Sequence, residues 1–590
     1  MNSHSKIKDA MSLRRMKSRP RRLSCSKTRT RSHLGMELLN MNLDRAWSWF
    51  APRERVVFTG LLLLHVAFLW FFTYLPTQDG PSHLNNANVI LKYFRSEYPV
   101  FREYYSLNTS VWSNWLGHGI LAGLISLFPL LVAEKVFVCG YVITFPLTIR
   151  YALRGIRPEA GVLSFLSFPL IYNFTFQMGF WSFCYSLPVF FLILGYWFRR
   201  RDRIEIRAWR VIASLAVLLC LLHILSFVMA CLFIGVLSLM QMVSPWRSLK
   251  SLGLPPTWGA WDIFRFRALP TATALLPALT LAVLFVLGQG EGHSEIPGGG
   301  NPLFFPKYLL KKFMDLSSFW IWEVAIFGGF GVLFLWIAIR NRKKNSTIDG
   351  WNGFLILILV CLSVLYVAPE KMSGGSFIPV RLILFLLASL FFWLGLYIQR
   401  EGEKMVIVIV SIVISLGLLI SYGEKYQELN NYLEEYVSGA DRIESNATLL
   451  TICFSPKGFS VDNTFHSFPR IRPFLHASGY IAAQRHVVAF TNYEAHTSYF
   501  PTRFRPDRDP YVHIGSVEDL DKQLDFLSYP ARTGGRVDYV LVWGDDRGFF
   551  PKEVVESITD QIREGYELVF MSVRGNMMLY RRKGWSTRNR

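Results

Sequence analysis

The run VVFTGLLLLHVAFLWFFTYL, residues 56–75, is followed without a spacer by Pro76-Thr77-Gln78-Asp79-Gly80-Pro81-Ser82-His83. About 20 predominantly apolar residues cross ~30 Å of hydrocarbon as a helix, so the first part reads as a membrane span. The second part sets a carboxylate and an imidazole directly against a membrane face. An acidic residue there is partly desolvated, which makes Asp79 the leading functional residue of the chain.

The rest of the sequence fits that start. Of 590 residues, 52% are hydrophobic and 15% aromatic, and the mean hydropathy is +0.28, above an ordinary soluble domain. Further apolar runs at Lys135 to Ala152, Ala160 to Phe176, Trp181 to Phe198, Trp209 to Leu222, Phe227 to Met242, Ala268 to Leu287, Trp320 to Ile339, Phe354 to Ala368, Val380 to Ile398 and Met405 to Tyr422 predict about 11 transmembrane helices. The class is an α-helical polytopic membrane protein.

Charge sets the topology. Residues 1–55 carry 14 Lys plus Arg against 4 Asp plus Glu, so much of the net +21 lies in a tail with no apolar periodicity. We read residues 1–54 as a disordered, basic cytoplasmic tail that touches anionic lipid, which argues against nucleic acid as a partner. The basic loops at Arg150 to Arg157, Arg199 to Arg203, Arg247 to Arg267, Arg340 to Lys344 and Gln399 to Lys404 then all fall on the cytoplasmic side. This holds only if Val111 to Leu131, interrupted by Asn114, Gly117, His118, Gly119 and Gly123, does not cross. It is expected to be interfacial or re-entrant, making residues 76–131 an outer-face helical loop. Within that loop Leu84, Ala87, Leu91, Phe94 and Tyr98 form a stripe expected to lie on the bilayer.

The membrane domain thus spans 55–422, and residues 423–590 form a C-terminal extracytoplasmic α/β domain. Strands are predicted at Ala447 to Phe454, His486 to Phe490, Val537 to Trp543, Tyr566 to Val573 and Asn576 to Arg582, and helices at Val517 to Leu527 and Lys552 to Ile562. Seven cysteines, five of them inside apolar runs, give neither a disulfide framework nor a CxxC site.

Asp-Gly-Pro also suits a helix start, where the carboxylate caps free N–H groups and Pro81 occupies the first turn. The competing reading is a general base at the lipid–water boundary. The first span, the segment Pro76 to Leu84 and the following surface helices resemble the first outer loop of the GT-C superfamily of membrane glycosyltransferases, whose uncharacterised bacterial members include an Asp-Gly-Pro-x-His version. The resemblance covers the membrane portion in architecture and only a few residues in motif. It implies sugar transfer from a polyprenyl-phosphate donor to a glycan, lipid or protein acceptor outside the cell, in a multi-pass bacterial inner-membrane protein, with Asp79 as catalytic base. This chain has one acidic residue in the loop where better-studied members have a pair.

An anionic leaving group also needs cations. Arg381, at the end of the glycine-rich segment Pro369 to Arg381, and Lys371 within it are the candidate phosphate ligands. His83, four residues after Asp79, and His223, which interrupts an apolar stretch, are further candidate substrate-binding residues. No cofactor is required by the motifs; a divalent metal at Asp79 and His83 is left open, with its ligands unknown. Lys307, Lys311 and Lys312 read as one face of an interfacial helix, the turn Tyr172 to Gly179 as a cavity lining, and Asn173 as a sequon. In the C-terminal domain His466, His476, His486, His496, Glu494, Asp545 and Asp546 follow no recognised motif. Two rivals remain: a non-catalytic membrane assembly or scaffold protein, and a lipid or sugar transporter.

Overall fold

A computed structural model describes residues 41–110, 113–200, 204–243, 259–288, 305–316, 329, 331–332, 353–372, 375–398, 400–459, 470–546 and 550–584. Within these, five helices are long and apolar enough to cross a membrane: Leu130–Ile156, Trp181–Arg199, Phe264–Gly288, Ile378–Leu396 and Glu401–Arg442. Apolar helices at Glu54–Trp70, Ile206–Leu222, Ile224–Val243 and Gly353–Val367 match further expected spans in position. The expected span Trp320 to Ile339 lies mostly outside the described residues, as does nearly all of the N-terminal tail.

One of the expected spans differs in kind. Ala160 to Phe176 is no α-helix; Pro158–Leu170 forms a 3-10 helix, buried from Ala160 to Leu170. Pro158 and Pro169 cannot donate backbone hydrogen bonds, and Ser164 and Ser167 return their hydroxyls to the carbonyls three residues back at 2.6 Å. At ~2.0 Å per residue this segment still reaches roughly 26 Å.

Basic residues collect at one end of the bundle. Arg150 forks onto Glu54 with two 2.6 Å bonds, Arg157 donates to the Leu396 carbonyl, and Arg199 donates to that of Tyr151. Helix Trp115–Leu127, opened by Asn114 at φ 73°, is ~20 Å long, too short to span.

At the other end stands a five-stranded mixed sheet, in the order Val488–Ala489, Thr448–Cys453, Tyr539–Trp543, Met577–Arg582, Tyr566–Met571. The first three strands are parallel, and the last two join antiparallel. All five expected strands are present. Alternation sends Leu450, Ile452, Val540 and Val542 to one core, against Ile558 and Ile562 of helix Lys552–Gly565, and Leu449, Leu541 and Trp543 to the other. The expected helix Val517 to Leu527 is instead a series of turns. Val517, Leu520 and Leu524 are buried, so their spacing records burial, while Asp525 N–H bonds back to Ile514.

The segment 76–131, expected at the outer face, and the sheet region pack into one another. Val89, Val100, Phe101 and Tyr104 share a core with Leu450 and Ile452, and Tyr105–Leu107 pairs antiparallel with Thr502–Phe504. The proposed bilayer stripe is therefore corrected: Leu84 and Ala87 of helix Gly80–Lys92 are wholly buried in protein, and Phe94 alone among the five is strongly exposed. Helix Ser478–Arg485 covers the stripe so closely that a Cβ on Gly479 would lie 2.3 Å from the Pro81 carbonyl oxygen. Six of the seven cysteines are described, all as free thiols.

Candidate functional site

The segment carrying Asp79 is held by the turn that follows the 3-10 helix. Gln78 and Asp79 donate their N–H groups to the carbonyls of Gln177 and Met178 at 3.1 and 3.0 Å. Gly179, at φ +81°, permits this approach, since a Cβ there would sit 2.6 Å from the Gly80 nitrogen. Asn173 starts the turn by accepting from Thr175 N–H at 2.8 Å; it is fully buried, so the sequon is not accessible.

Asp79 stands at the N-terminus of helix Gly80–Lys92, but its carboxylate caps none of the free N–H groups there. It accepts from Gln78 Nε2 at 3.3 Å and from the Tyr493 hydroxyl, and His476 Nε2 lies 3.5 Å away. Burial pushes its pKa up to about 7, with His83 offsetting part of the rise and Glu494 adding to it. Glu518 is likewise raised to about 7 by burial despite the Tyr511 hydroxyl donating to it, and burial lowers His476 to about 4.

A cavity of about 430 Å³ joins these groups. Asp79, His83, His223, Arg381, His476, Tyr493 and Glu518 line it, together with Phe180, Phe183, Ile224, Leu225 and Val228. Arg381 lies one turn into helix Ile378–Tyr397 and does not extend to the surface: it is 7% exposed, stacks on Phe180 at 4.2 Å, and donates to His223 Nε2 at 2.9 Å. A guanidinium only donates, so His223 accepts through Nε2 and carries its hydrogen on Nδ1. Lys371 sits in an exposed two-residue strand and is not among the lining residues. Lys312, in the expected amphipathic helix Phe305–Met314, is buried against Asp315 and Glu370.

Behind the cavity wall lies a second cluster. Glu494 Oε1 is 2.8 Å from His83 Nδ1, Glu494 Oε2 is 2.8 Å from His118 Nε2, and the two imidazole nitrogens are 3.1 Å apart. Asn86 Nδ2 donates to Glu494 Oε2 at 2.9 Å and to Asn492 Oδ1 at 3.0 Å. Burial alone would raise the Glu494 carboxyl, but His83 and His118 outweigh it and hold it well below the usual carboxylate range. Burial would lower His83, and the Glu494 carboxylate outweighs it in turn, so His83 is raised.

Sequence reasoning brought Asp79, His83, His223 and Arg381 to notice, and all four line one cavity. His118 was read only as an interruption of an apolar run, and His476 and Glu494 only as unassigned polar residues. One signal for Glu494 was available: Thr491 to Glu494 directly follow a parallel strand, where open α/β sheets place their ligands. His486 instead contacts Lys92, and His496 pairs with Asp509, and neither lines the cavity; His466 lies outside the described residues.

No family model and no curated protein matches the chain. Among solved structures, that of ArnT from Cupriavidus metallidurans bound to undecaprenyl phosphate is similar over 89% of this chain and 97% of that one, at 9% sequence identity and a TM-score of 0.44.

Proposed function

We propose that this chain is a membrane glycosyltransferase that moves a sugar from a polyprenyl-phosphate donor to an extracytoplasmic acceptor. One observation carries the reading: a buried carboxylate that caps nothing and a buried arginine line the same cavity, part of whose wall is aromatic and aliphatic. In this mechanism the lipid lies against the apolar wall formed by Ile224, Leu225 and Val228. Asp79 takes the proton of the acceptor hydroxyl as its oxygen bonds to the anomeric carbon. The bond from that carbon to the phosphate oxygen breaks, and Arg381, oriented by His223, stabilises the departing phosphate. His83 and Lys371 were the other candidate donor ligands; of these His83 lies at the cavity wall. The positive end of the bundle is cytoplasmic and the cavity opens outward, following the distribution of arginines.

The test compares wild-type chain with Asp79→Asn, both purified in detergent and given a panel of undecaprenyl-phosphate-linked pentoses and hexoses, with membrane extract as acceptor. Release of undecaprenyl phosphate should fall by roughly 10²-fold or more in the variant. Undiminished release by Asp79→Asn rejects the catalytic assignment. Mass spectrometry of lipids from a deletion strain, where one lipid-linked sugar should accumulate, supplies the donor.

A further inference from the structure

We infer that His83, His118 and Glu494 form a binding site for one divalent transition-metal ion, with zinc the best match, fastening the first outer loop to the C-terminal domain. The ligand atoms of these three buried residues lie within 4.8 Å of one another. Two imidazoles and a carboxylate are a recurrent zinc set, whereas magnesium and calcium favour oxygen alone.

The hydrogen bonds around the cluster fix its electronic character. His83 Nε2 faces the Gly179 carbonyl at 2.9 Å, and His118 Nδ1 faces the Asn114 carbonyl at 3.1 Å. A carbonyl only accepts, so each of these nitrogens carries a hydrogen, and in the neutral rings His83 Nδ1 and His118 Nε2 are left as lone pairs. Those lone pairs meet each other and Glu494 at 3.1 and 2.8 Å. Electron-rich atoms so disposed repel unless positive charge lies among them, and a metal ion supplies that charge in place of a proton held within the cluster. No Lys or Arg pairs with Glu494 among the described residues, and its Oε1, although 2.8 Å from His83 Nδ1, accepts no aligned hydrogen bond.

The surroundings match the shell of a metal centre. Each imidazole is oriented through its far nitrogen by a backbone carbonyl, Asn86 holds the carboxylate, and Phe500 packs against both rings. Tetrahedral ligands at ~2.0–2.1 Å from zinc stand roughly 3.3 Å apart, so opening the cluster by about half an ångström seats the ion. Three protein ligands leave a fourth position free. Because Tyr493, which bonds Asp79, adjoins Glu494 in the chain, the ion would position one partner of Asp79 without touching it.

The proposal is independent of sugar transfer, and its test measures metal. Full-length chain, purified in detergent through a tag that needs no metal resin, is incubated with zinc chloride, desalted and analysed by mass spectrometry of the elements. About one zinc per chain is expected in wild type and in His486→Ala, whose histidine lies outside the cluster, against less than a tenth in His118→Ala and Glu494→Gln. Chelated wild-type protein refilled with cobalt should show visible absorption between about 500 and 650 nm. Wild-type protein that holds neither zinc nor cobalt overturns the proposal, whatever the variants do. Equal zinc in His118→Ala and wild type overturns it too.

Discussion

The buried polar groups in and behind the cavity fall into two sets with different partnering. Behind the cavity, His83, His118, Glu494, Asn86 and Asn492 are joined by short contacts, most of them between 2.8 and 3.1 Å. In the cavity, the contacts of Asp79 and His476 stretch to 3.3, 3.5 and 3.7 Å, and Arg381 Nε, His223 Nδ1 and His476 Nδ1 make no hydrogen bond. Both sets bear the cost of burial, and the first recovers more of it internally, although Glu494 Oε1 lacks an aligned hydrogen bond. A chain that keeps incompletely bonded groups in a cavity of this size retains them for something that enters it.

That contrast breaks most readily through Glu494 and Asp79. Glu494→Ala leaves two imidazoles and Asn86 without their common partner and should cost about 3–5 kcal/mol of stability. Asp79→Asn removes a carboxyl with long contacts and should change stability by about 1 kcal/mol or less, in either direction. Chemical denaturation of both variants in detergent checks this; equal losses would erase the distinction between the two sets.

Arg381→Lys sharpens the comparison within the cavity. Lysine keeps the charge but loses the planar fork and the ring stacking, so the KM for a lipid-phosphate sugar should rise about tenfold, with little change in melting temperature. Steady-state kinetics on the purified variant would detect it, and an unchanged KM removes Arg381 from the phosphate.

The smallest effect is expected at Glu518, which faces His476, Tyr511, His496, Asp519 and Asp79. Its raised pKa means that the folded chain holds a proton which the unfolded chain has released between about pH 4.5 and 7, so this group's contribution to stability falls as pH rises through that window. Glu518→Gln should flatten the pH dependence of melting by on the order of 1 kcal/mol, about 2 °C. Melting curves at pH 5.5 and 8 for both proteins provide the measurement.

What the sequence made legible follows the range of the forces involved. Apolar runs and alternating strands are local patterns, and they placed most described helices and all five strands of the sheet. Asp79 and Arg381 were readable because a charge beside or inside an apolar run is costly wherever the chain goes. His118 and Glu494 are 376 residues apart, and no local pattern signals their meeting. Helical spacing misled twice for one reason: at Leu84 and Ala87, and again at Val517, Leu520 and Leu524, periodicity marks a buried face without saying whether lipid, sheet or a turn covers it. The 3-10 segment escaped because Ala160 to Leu170 is largely apolar, and composition alone does not distinguish the two helical hydrogen-bond patterns.

The pairing of Tyr105–Leu107 with Thr502–Phe504 has a consequence for biosynthesis. Close to 400 residues separate the two strands in the chain. At ~5–20 residues per second, a ribosome needs roughly 20–80 s to deliver the second strand after the first. During that interval helix Gly80–Lys92 lacks its cover, and its Asn85, Asn86 and Asn88 suit it to wait in water. The cavity, whose wall includes His476, Tyr493 and Glu518, is then complete only once the C-terminal region has been made and packed, so a nascent chain that lacks this region has no finished cavity.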